Sequence, residues 1–104
     1  MNQFDVYMVD LDPAQGSEMK KIRPAVIISP NALNRHLNTV IIAPLTHTLK
    51  GYLFRVPSLF EGEPGEVALD QLRTVDKSRL KQKQGRIAAS TAADIKAILG
   101  AMFS

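Results

Sequence analysis

Two β-branched runs, Pro24-Ala-Val-Ile-Ile-Ser-Pro30 and Thr39-Val-Ile-Ile-Ala-Pro44, carry the strongest structural signal in the sequence. The composition of the first run is typical of a strand buried on both faces of a sheet. Proline lacks the N–H group that a sheet needs, so Pro30 and Pro44 are expected to end the two strands. A fold based on β-sheet follows.

Further strands are predicted on both sides of these runs. The first spans residues 5–11, with Val6 and Met8 on one face and Tyr7, Val9 and Leu11 on the other. The others are expected at 52–56, at 66–70 with a possible continuation to Val75, and at an edge strand over 86–88. Residues 57–65 form a predicted turn or hairpin loop, and helical turns are expected at 31–35, capped by Asn31, and at 77–80.

A helix is predicted to follow Thr91, whose hydroxyl is the expected N-cap. Its apolar positions form one stripe: Ile95, Ile98, Leu99 and Met102. Covering this stripe requires a sheet or another subunit. The stripe and residues 39–43 together present more apolar surface than one small barrel needs to cover. We therefore expect a homodimer built from a mainly β fold, a small, strongly bent barrel or sheet with a C-terminal helix.

Length and composition restrict the class of protein. The chain has 104 residues, room for a single domain over 1–104, and its 45% apolar and 22% charged content is typical of a folded soluble protein. Cysteine is absent, which excludes disulfides, thiolate zinc sites and cysteine nucleophiles and suits a reducing compartment. The first residues lack the pattern of a signal peptide, and no apolar run is long enough to span a membrane. The expected location is the cytoplasm.

The charge is mildly basic but unevenly distributed. The net charge is +3, from 13 Lys and Arg against 10 Asp and Glu. Basic residues cluster at Lys20, Lys21 and Arg23 and again over 73–86. The two clusters either converge on one surface for an anionic ligand or form an ordinary solvated turn and loop.

Common catalytic and cofactor motifs are missing from the sequence. Asp10 and Asp12 share a strand face, but no third ligand lies at metal-binding spacing, and Asp12 before Pro13 is an ordinary turn starter. We therefore predict neither a metal nor another cofactor. His36 and His47 have no Ser or Asp partner nearby in the sequence; His47 is either a solvated loop residue or a group that titrates during a reaction.

The loop over 16–24 offers a carboxylate, a guanidinium and two ammonium groups, and a guanidinium is suited to gripping phosphate. Around it lies a series of motifs in fixed order: Asp10-Leu-Asp-Pro13, Gly16-Ser-Glu18, Arg23-Pro-Ala-Val-Ile27, Ser29-Pro30, Asn34, Ala43-Pro-Leu-Thr46, Gly65 and Asp70-Gln-Leu-Arg-Thr-Val-Asp76. From residue 5 to about residue 80 the series resembles the MazF/PemK (Kid) toxins, which are ribosome-independent mRNA interferases of toxin–antitoxin modules.

The resemblance implies an SH3-like barrel of the CcdB type and a homodimer with an RNA site shared between subunits. It also implies an acidic antitoxin whose flexible tail occupies that site. The reaction it implies needs no metal, because the 2′-OH of single-stranded RNA attacks the adjacent phosphate. The products are a 2′,3′-cyclic phosphate and a 5′-OH.

By the same resemblance, Arg23 and Thr46 match catalytic positions, and Glu18 is the candidate general base. The expected RNA-contacting residues are Ser17, Lys20, Lys21, His47, Asp70 and Gln71.

Each of these positions also has a purely structural interpretation. Arg23 could pair with Asp70 or Asp76, Thr46 could cap a turn, and Glu18 could be solvated. For Arg73 and Asp76 we expect a structural ion pair.

This chain departs from one branch of the family, which has His in place of Ser17 and Arg in place of Ala68. Two other functions remain open on the same scaffold. A CcdB-like toxin binds DNA gyrase through C-terminal residues that include Trp, whereas this chain ends Ala-Met-Phe-Ser without Trp. A non-catalytic RNA-binding barrel would need a surface of stacked aromatic residues, for which the sequence offers few candidates.

Overall fold

The computed structural model describes residues 1–11 and 22–104. The β-strands in these ranges are β1 (Asp5–Asp10), β2 (Ile22–Ile27), β3 (Thr39–Thr46), β4 (Arg55–Phe60), β5 (Glu63–Ala68), β6 (Arg73–Asp76) and β7 (Leu80–Arg86). The helices are α1 (Asn31–His36) and α2 (Ala89–Met102), with short 3-10 turns at Leu69–Gln71 and Lys77–Arg79. Neither α-helix in this part of the chain has the length and apolar character needed to cross a membrane.

All the strand pairs are antiparallel, and β3 is at the centre of the sheet. The strands follow the order β4-β5-β3-β2-β1-β7, and β6 pairs with the first half of β3. The sheet bends into a half-barrel with α2 as its C-terminal helix. The predicted fold class, mainly β with a terminal helix, is confirmed.

The prediction that Pro44 ends its strand is wrong, because β3 runs on to Thr46. On one edge, β6 pairs with β3 as far as Ile42, and β5 takes over from Leu45. Pro44 lies between these two partners, so its missing N–H removes no ladder hydrogen bond on that edge. On its other edge, Pro44 lies opposite Ala25 of β2.

Two apolar clusters cover the two faces of the sheet, and β1 contributes to both as its alternation predicted. Val6 is buried in the cluster beneath α2, whereas Val9 is buried in the opposite cluster with Tyr7 and Leu11 at its margin. Ile95 is completely buried in the first cluster. The stripe on α2 therefore packs on the sheet of its own chain, and it gives no reason to expect a second subunit.

The predicted helix caps are wrong. The helix α2 begins at Ala89, which places Thr91 buried within the first turn, where it makes no cap. The Oδ1 atom of Asn31 accepts a hydrogen bond from the backbone N–H of Gln3 rather than capping α1.

Other predicted boundaries shift by several residues. The region 57–65, predicted as a loop, is mostly the β4–β5 hairpin, whose turn is formed by Glu61 and Gly62 with positive φ. Pro57 is tolerated within β4 because this strand lies at the edge of the sheet. At the other edge, β7 covers 80–86, where only a short strand at 86–88 was predicted.

Candidate active site

Arg23 and Thr46 line the same open groove, which has a volume of about 460 Å³. The rest of the lining consists of Leu11, Pro24, Pro44, Leu45, His47, Thr48 and Gln71. Three of the residues predicted to act on RNA at this end of the sheet, Thr46, His47 and Gln71, therefore share one surface with Arg23.

The register of β2 and β3 explains why Arg23 lies near Thr46. Ala25 of β2 pairs with Pro44 of β3, and Arg23 and Thr46 each lie two residues farther toward the same end. Because side chains alternate along a strand, residues two apart share a face. The sheet thus presents a guanidinium and a hydroxyl side by side at its rim.

The structural interpretation of Arg23 does not apply, because both proposed carboxylate partners are engaged elsewhere. Asp70 accepts two hydrogen bonds from Arg55, at 2.8 Å from Nε and 3.3 Å from Nη2. Asp76 accepts a hydrogen bond from the backbone N–H of Ser78 at 2.8 Å. Arg23 is exposed on the groove and pairs with neither of them.

The hydroxyl of Thr46 caps a turn, as the structural interpretation of this residue predicted. Its Oγ1 accepts a hydrogen bond from the backbone N–H of Thr48 at 3.1 Å. A hydroxyl can accept and donate at the same time. The bond to Thr48 therefore fixes the orientation of the side chain and leaves its O–H available as a donor to an anionic ligand.

His47 is the exposed residue that follows Thr46 in the groove wall. Its Nδ1 lies 3.2 Å from the carbonyl oxygen of Pro64, and its Nε2 lies 3.5 Å from Oε2 of Glu63. Both ring nitrogens thus lie near oxygen atoms of the β4–β5 hairpin. The β4–β5 hairpin holds this imidazole at the edge of the groove.

Gly65 allows the hairpin to approach the Thr46 backbone closely. A Cβ atom at this position would lie 2.7 Å from the carbonyl oxygen of Thr46 and 3.5 Å from Nδ1 of His47. The first distance is well inside van der Waals contact with a backbone atom. Only glycine fits here without displacing the two groove residues, which gives a physical reason for Gly65 in the motif series.

A charged network that the sequence analysis missed supports the loop after Thr46. The Glu66 carboxylate is buried and accepts hydrogen bonds from the backbone N–H groups of Lys50 and Gly51, each at 2.9 Å. These bonds hold the pKa of Glu66 below its ordinary value. Nη1 of Arg55 lies 3.7 Å from Oε1 of Glu66, and Cζ of Arg55 lies 5.0 Å from the ring centroid of Tyr52.

Asp70 belongs to the same network and does not line the groove. Its hydrogen bonds from Arg55 lower the pKa of its carboxyl group. A signal for this network was present in the sequence: Glu66 precedes the apolar run Val67-Ala-Leu69, so a strand there places a carboxylate among buried residues that only a partner can stabilise.

The remaining predicted residues fall outside this arrangement. Ser17, Glu18, Lys20 and Lys21 lie outside the described residues. The expected Arg73–Asp76 ion pair is absent: Nη1 of Arg73 donates to the carbonyl oxygen of Leu11, at 3.4 Å.

The carboxylates considered as metal ligands can be examined only in part. Asp10 lies 3.9 Å from Arg79, and Asp12 is outside the described residues. Within 1–11 and 22–104 no three acidic, His or Cys side chains form a group that could hold a metal ion.

Comparison with known proteins identifies the family. The PemK-like, MazF-like toxins of type II toxin–antitoxin systems match residues 2–103. The chain belongs to this family. Its relatives include the endoribonuclease MazF of Staphylococcus saprophyticus, which is 41% identical over 91 residues covering 80% of this chain and 74% of the relative.

Solved structures of MazF toxins share the fold. A MazE–MazF complex from Deinococcus radiodurans superposes with a TM-score of 0.83 at 28% identity, covering 99% of this chain and 95% of that one. An endoribonuclease in complex with its cognate antitoxin from Mycobacterial species gives a TM-score of 0.81 at 27% identity, covering 97% and 92%. The family membership suggested by the sequence motifs is confirmed.

The close approach at Gly65 predicts that adding a methyl group there lowers the stability of the fold. We expect Gly65→Ala to lower the free energy of unfolding by about 1–3 kcal/mol, the usual range for overpacking a site that cannot expand. Denaturant unfolding at fixed protein concentration measures the loss.

Gly100→Ala is the matched control, because nothing lies within 4 Å of a Cβ at this position on α2. The control is expected to raise stability by about 0.5–1 kcal/mol through its higher helix propensity. Equal effects of the two substitutions would contradict a close approach at Gly65.

The lowered pKa values of Glu66 and Asp70 predict a loss of stability in acid. Between the ordinary and the lowered pKa, the unfolded chain binds more protons than the folded chain, so the free energy of unfolding falls as the pH decreases. The loss begins near the ordinary carboxyl pKa and is complete below the folded-state values. Glu66→Gln should flatten this slope relative to the wild type when denaturant unfolding is measured across the acid range. A slope left unchanged by Glu66→Gln would rule out the Glu66 contribution.

Proposed function

We propose that this chain is the toxin of a toxin–antitoxin module and a metal-independent, sequence-specific endoribonuclease that cleaves single-stranded mRNA in the cytoplasm and so blocks translation. The observation that carries the proposal is the shared groove of Arg23 and Thr46. Membership of the PemK/MazF family and the name of the Staphylococcus saprophyticus relative, an endoribonuclease, support it.

The proposed reaction uses the RNA itself as the nucleophile. The 2′-oxygen forms a bond to the adjacent phosphorus, the bond from phosphorus to the 5′-oxygen breaks, and a 2′,3′-cyclic phosphate results. One proton leaves the 2′-OH and one is delivered to the departing 5′-oxygen, which becomes a 5′-OH. The enzyme must bind the phosphate in line and stabilise the negative charge that builds on its oxygens.

Arg23 and Thr46 are suited to these two tasks. A guanidinium can donate two parallel hydrogen bonds to phosphate oxygens, and it keeps its proton throughout. The Thr46 hydroxyl, oriented by the Thr48 N–H, can donate a further hydrogen bond to the same phosphate. We assign Arg23 to transition-state stabilisation and Thr46 to phosphate binding.

Proton transfer and the remaining RNA contacts are assigned from the family motifs and from the groove lining. Glu18 stays the proposed general base on the strength of the family motif. His47 and Gln71 are proposed RNA contacts because they line the groove. Ser17, Lys20, Lys21 and Asp70 keep this role by resemblance alone, although Asp70 engages Arg55 instead of lining the groove.

Two protein partners complete the proposal. An acidic antitoxin segment suits a groove that carries Arg23. A similar endoribonuclease from Mycobacterial species is in complex with its cognate antitoxin, and a similar structure from Deinococcus radiodurans is a MazE–MazF complex. A homodimer would cover large apolar side chains that are exposed in the single chain: Leu49, Leu53, Leu59 and Phe103.

Light scattering tests the homodimer. We expect a molar mass of twice that of the chain at micromolar concentration. A mass equal to one chain at every concentration measured would overturn this part of the proposal.

Cleavage of a defined RNA tests the catalytic assignment. In excess EDTA, the wild-type protein should cut single-stranded RNA and leave 2′,3′-cyclic phosphate ends, and a 2′-deoxy substitution at the cut should block the reaction. Arg23→Ala should reduce the rate by about 10²–10³-fold, the usual cost of removing a donor to a developing oxyanion. Thr46→Val should reduce it in the same direction.

Arg35→Ala removes an exposed arginine from α1 and is the matched control, expected to leave the cleavage rate unchanged. Intact RNA after incubation with the wild-type protein would overturn the proposal. So would cleavage that is lost in EDTA or that persists at full rate in Arg23→Ala.

A further inference from the structure

A second groove of about 310 Å³ adjoins the candidate active site. The two grooves share three wall residues, Pro24, Leu45 and His47. The others lining the second groove are Met8, Phe60, Glu61, Glu63 and Gln84. Because the walls are shared, an RNA strand whose phosphate lies beside Arg23 can place a neighbouring nucleotide in the second groove.

One side of this groove is apolar and carries an aromatic ring. Phe60 is half-buried, and its ring atoms lie 3.6 Å from the position that a Cβ on Gly85 would occupy. The ring therefore packs over the β7 backbone and is held against the groove wall. Aromatic rings and flat apolar surfaces are what single-stranded RNA bases stack on.

The polar side of the groove has the wrong charge for a phosphate. Glu61 and Glu63 are exposed carboxylates, and Gln84 adds an amide. Carboxylates repel the RNA backbone, but they accept hydrogen bonds from the amino groups of bases, and an amide can read a base edge with one donor and one acceptor. The chain as a whole carries a net charge of +3, yet this groove carries two carboxylates beside the proposed phosphate site. Such carboxylates are suited to hydrogen-bond the edge of a base.

We propose that this second groove is the base-recognition subsite for a nucleotide next to the scissile phosphate, and that it selects a base with an exocyclic amino group over uracil. The inference rests on the proposed ribonuclease function. Guanine fits best, because its N1–H and N2–H donors are adjacent and match the two oxygens of one carboxylate. Uracil presents a carbonyl oxygen on each side of its single N–H, and these oxygens would face the carboxylates.

The contact between the His47 imidazole and the Glu63 carboxylate connects base recognition with the active site. Nε2 of His47 and Oε2 of Glu63 lie 3.5 Å apart at the boundary between the two grooves. A base bound by Glu63 therefore contacts the same element that holds His47 beside Thr46. The hairpin β4–β5 acts on both grooves, since it supplies Glu63 to one and packs Gly65 against the backbone of the other.

Two readouts test the subsite. Cleavage of a randomised RNA pool, followed by mapping of the cut ends, measures base preference during the reaction. Binding of oligonucleotides with a 2′-O-methyl group at the cut measures it without cleavage. In both assays, we expect the wild-type protein to discriminate against uracil at one position beside the cut. Glu61→Gln or Glu63→Gln should reduce this discrimination about tenfold, the loss expected for one base contact. Replacing guanosine by inosine there, which deletes the N2 amino group, should weaken binding to wild type.

Asp94→Asn removes a carboxylate from the exposed surface of α2 and is the control, expected to leave the base preference unchanged. Cleavage with the same base preference in wild type and both glutamate variants would overturn the subsite while leaving the ribonuclease proposal intact. Discrimination in the binding assay by a protein that cuts no RNA would overturn the ribonuclease proposal, and with it the placement of the subsite beside a scissile phosphate. A wild-type protein that accepts uracil equally in both assays would also overturn the subsite.

Discussion

The change of partner along β3 is the constraint on which the rest of the molecule depends. On one edge β3 pairs with β2, and on the other it passes from β6 to β5 around Pro44. The first pairing sets Arg23 of β2 beside Thr46 of β3. The second brings Gly65 of β5 against the Thr46 carbonyl, so that three segments distant in sequence meet at one rim.

Fixed charges then stabilise the loop that leaves this rim. A buried carboxylate is costly unless it is hydrogen-bonded, and Glu66 meets that requirement with two backbone N–H groups of the loop after Thr46. Arg55 joins Glu66 to Asp70 and covers the face of Tyr52. The groove wall is thus held by groups that do not touch the groove, which separates the residues that support the site from those that line it.

The sequence predicted the strands with clear alternation or dense β-branching, because burial decides those segments locally. It wrongly placed the ends of strands at Pro44 and Pro57. Whether a strand tolerates a proline depends on which strands pair with its two edges, and the sequence does not show that pairing. It also failed for the Thr91 cap, because the helix starts earlier and buries that residue. Arg23 and Thr46 were indicated by a motif resemblance; the register that places them side by side, like the Arg55–Glu66–Asp70 network, depends on pairing between distant segments.

The two outer strands of the sheet have a consequence for assembly. In the described part of the chain, β4 and β7 each have a strand neighbour on one side alone, the kind of edge along which proteins aggregate. Pro57 interrupts the donor row of β4, and Lys81 and Lys83 place charge along β7. These residues discourage another chain from extending the sheet, so the folded protein can accumulate without forming strand-to-strand polymers. A chain that approaches either of these two edges meets Pro57 or lysine charge rather than an uninterrupted row of backbone hydrogen-bonding groups.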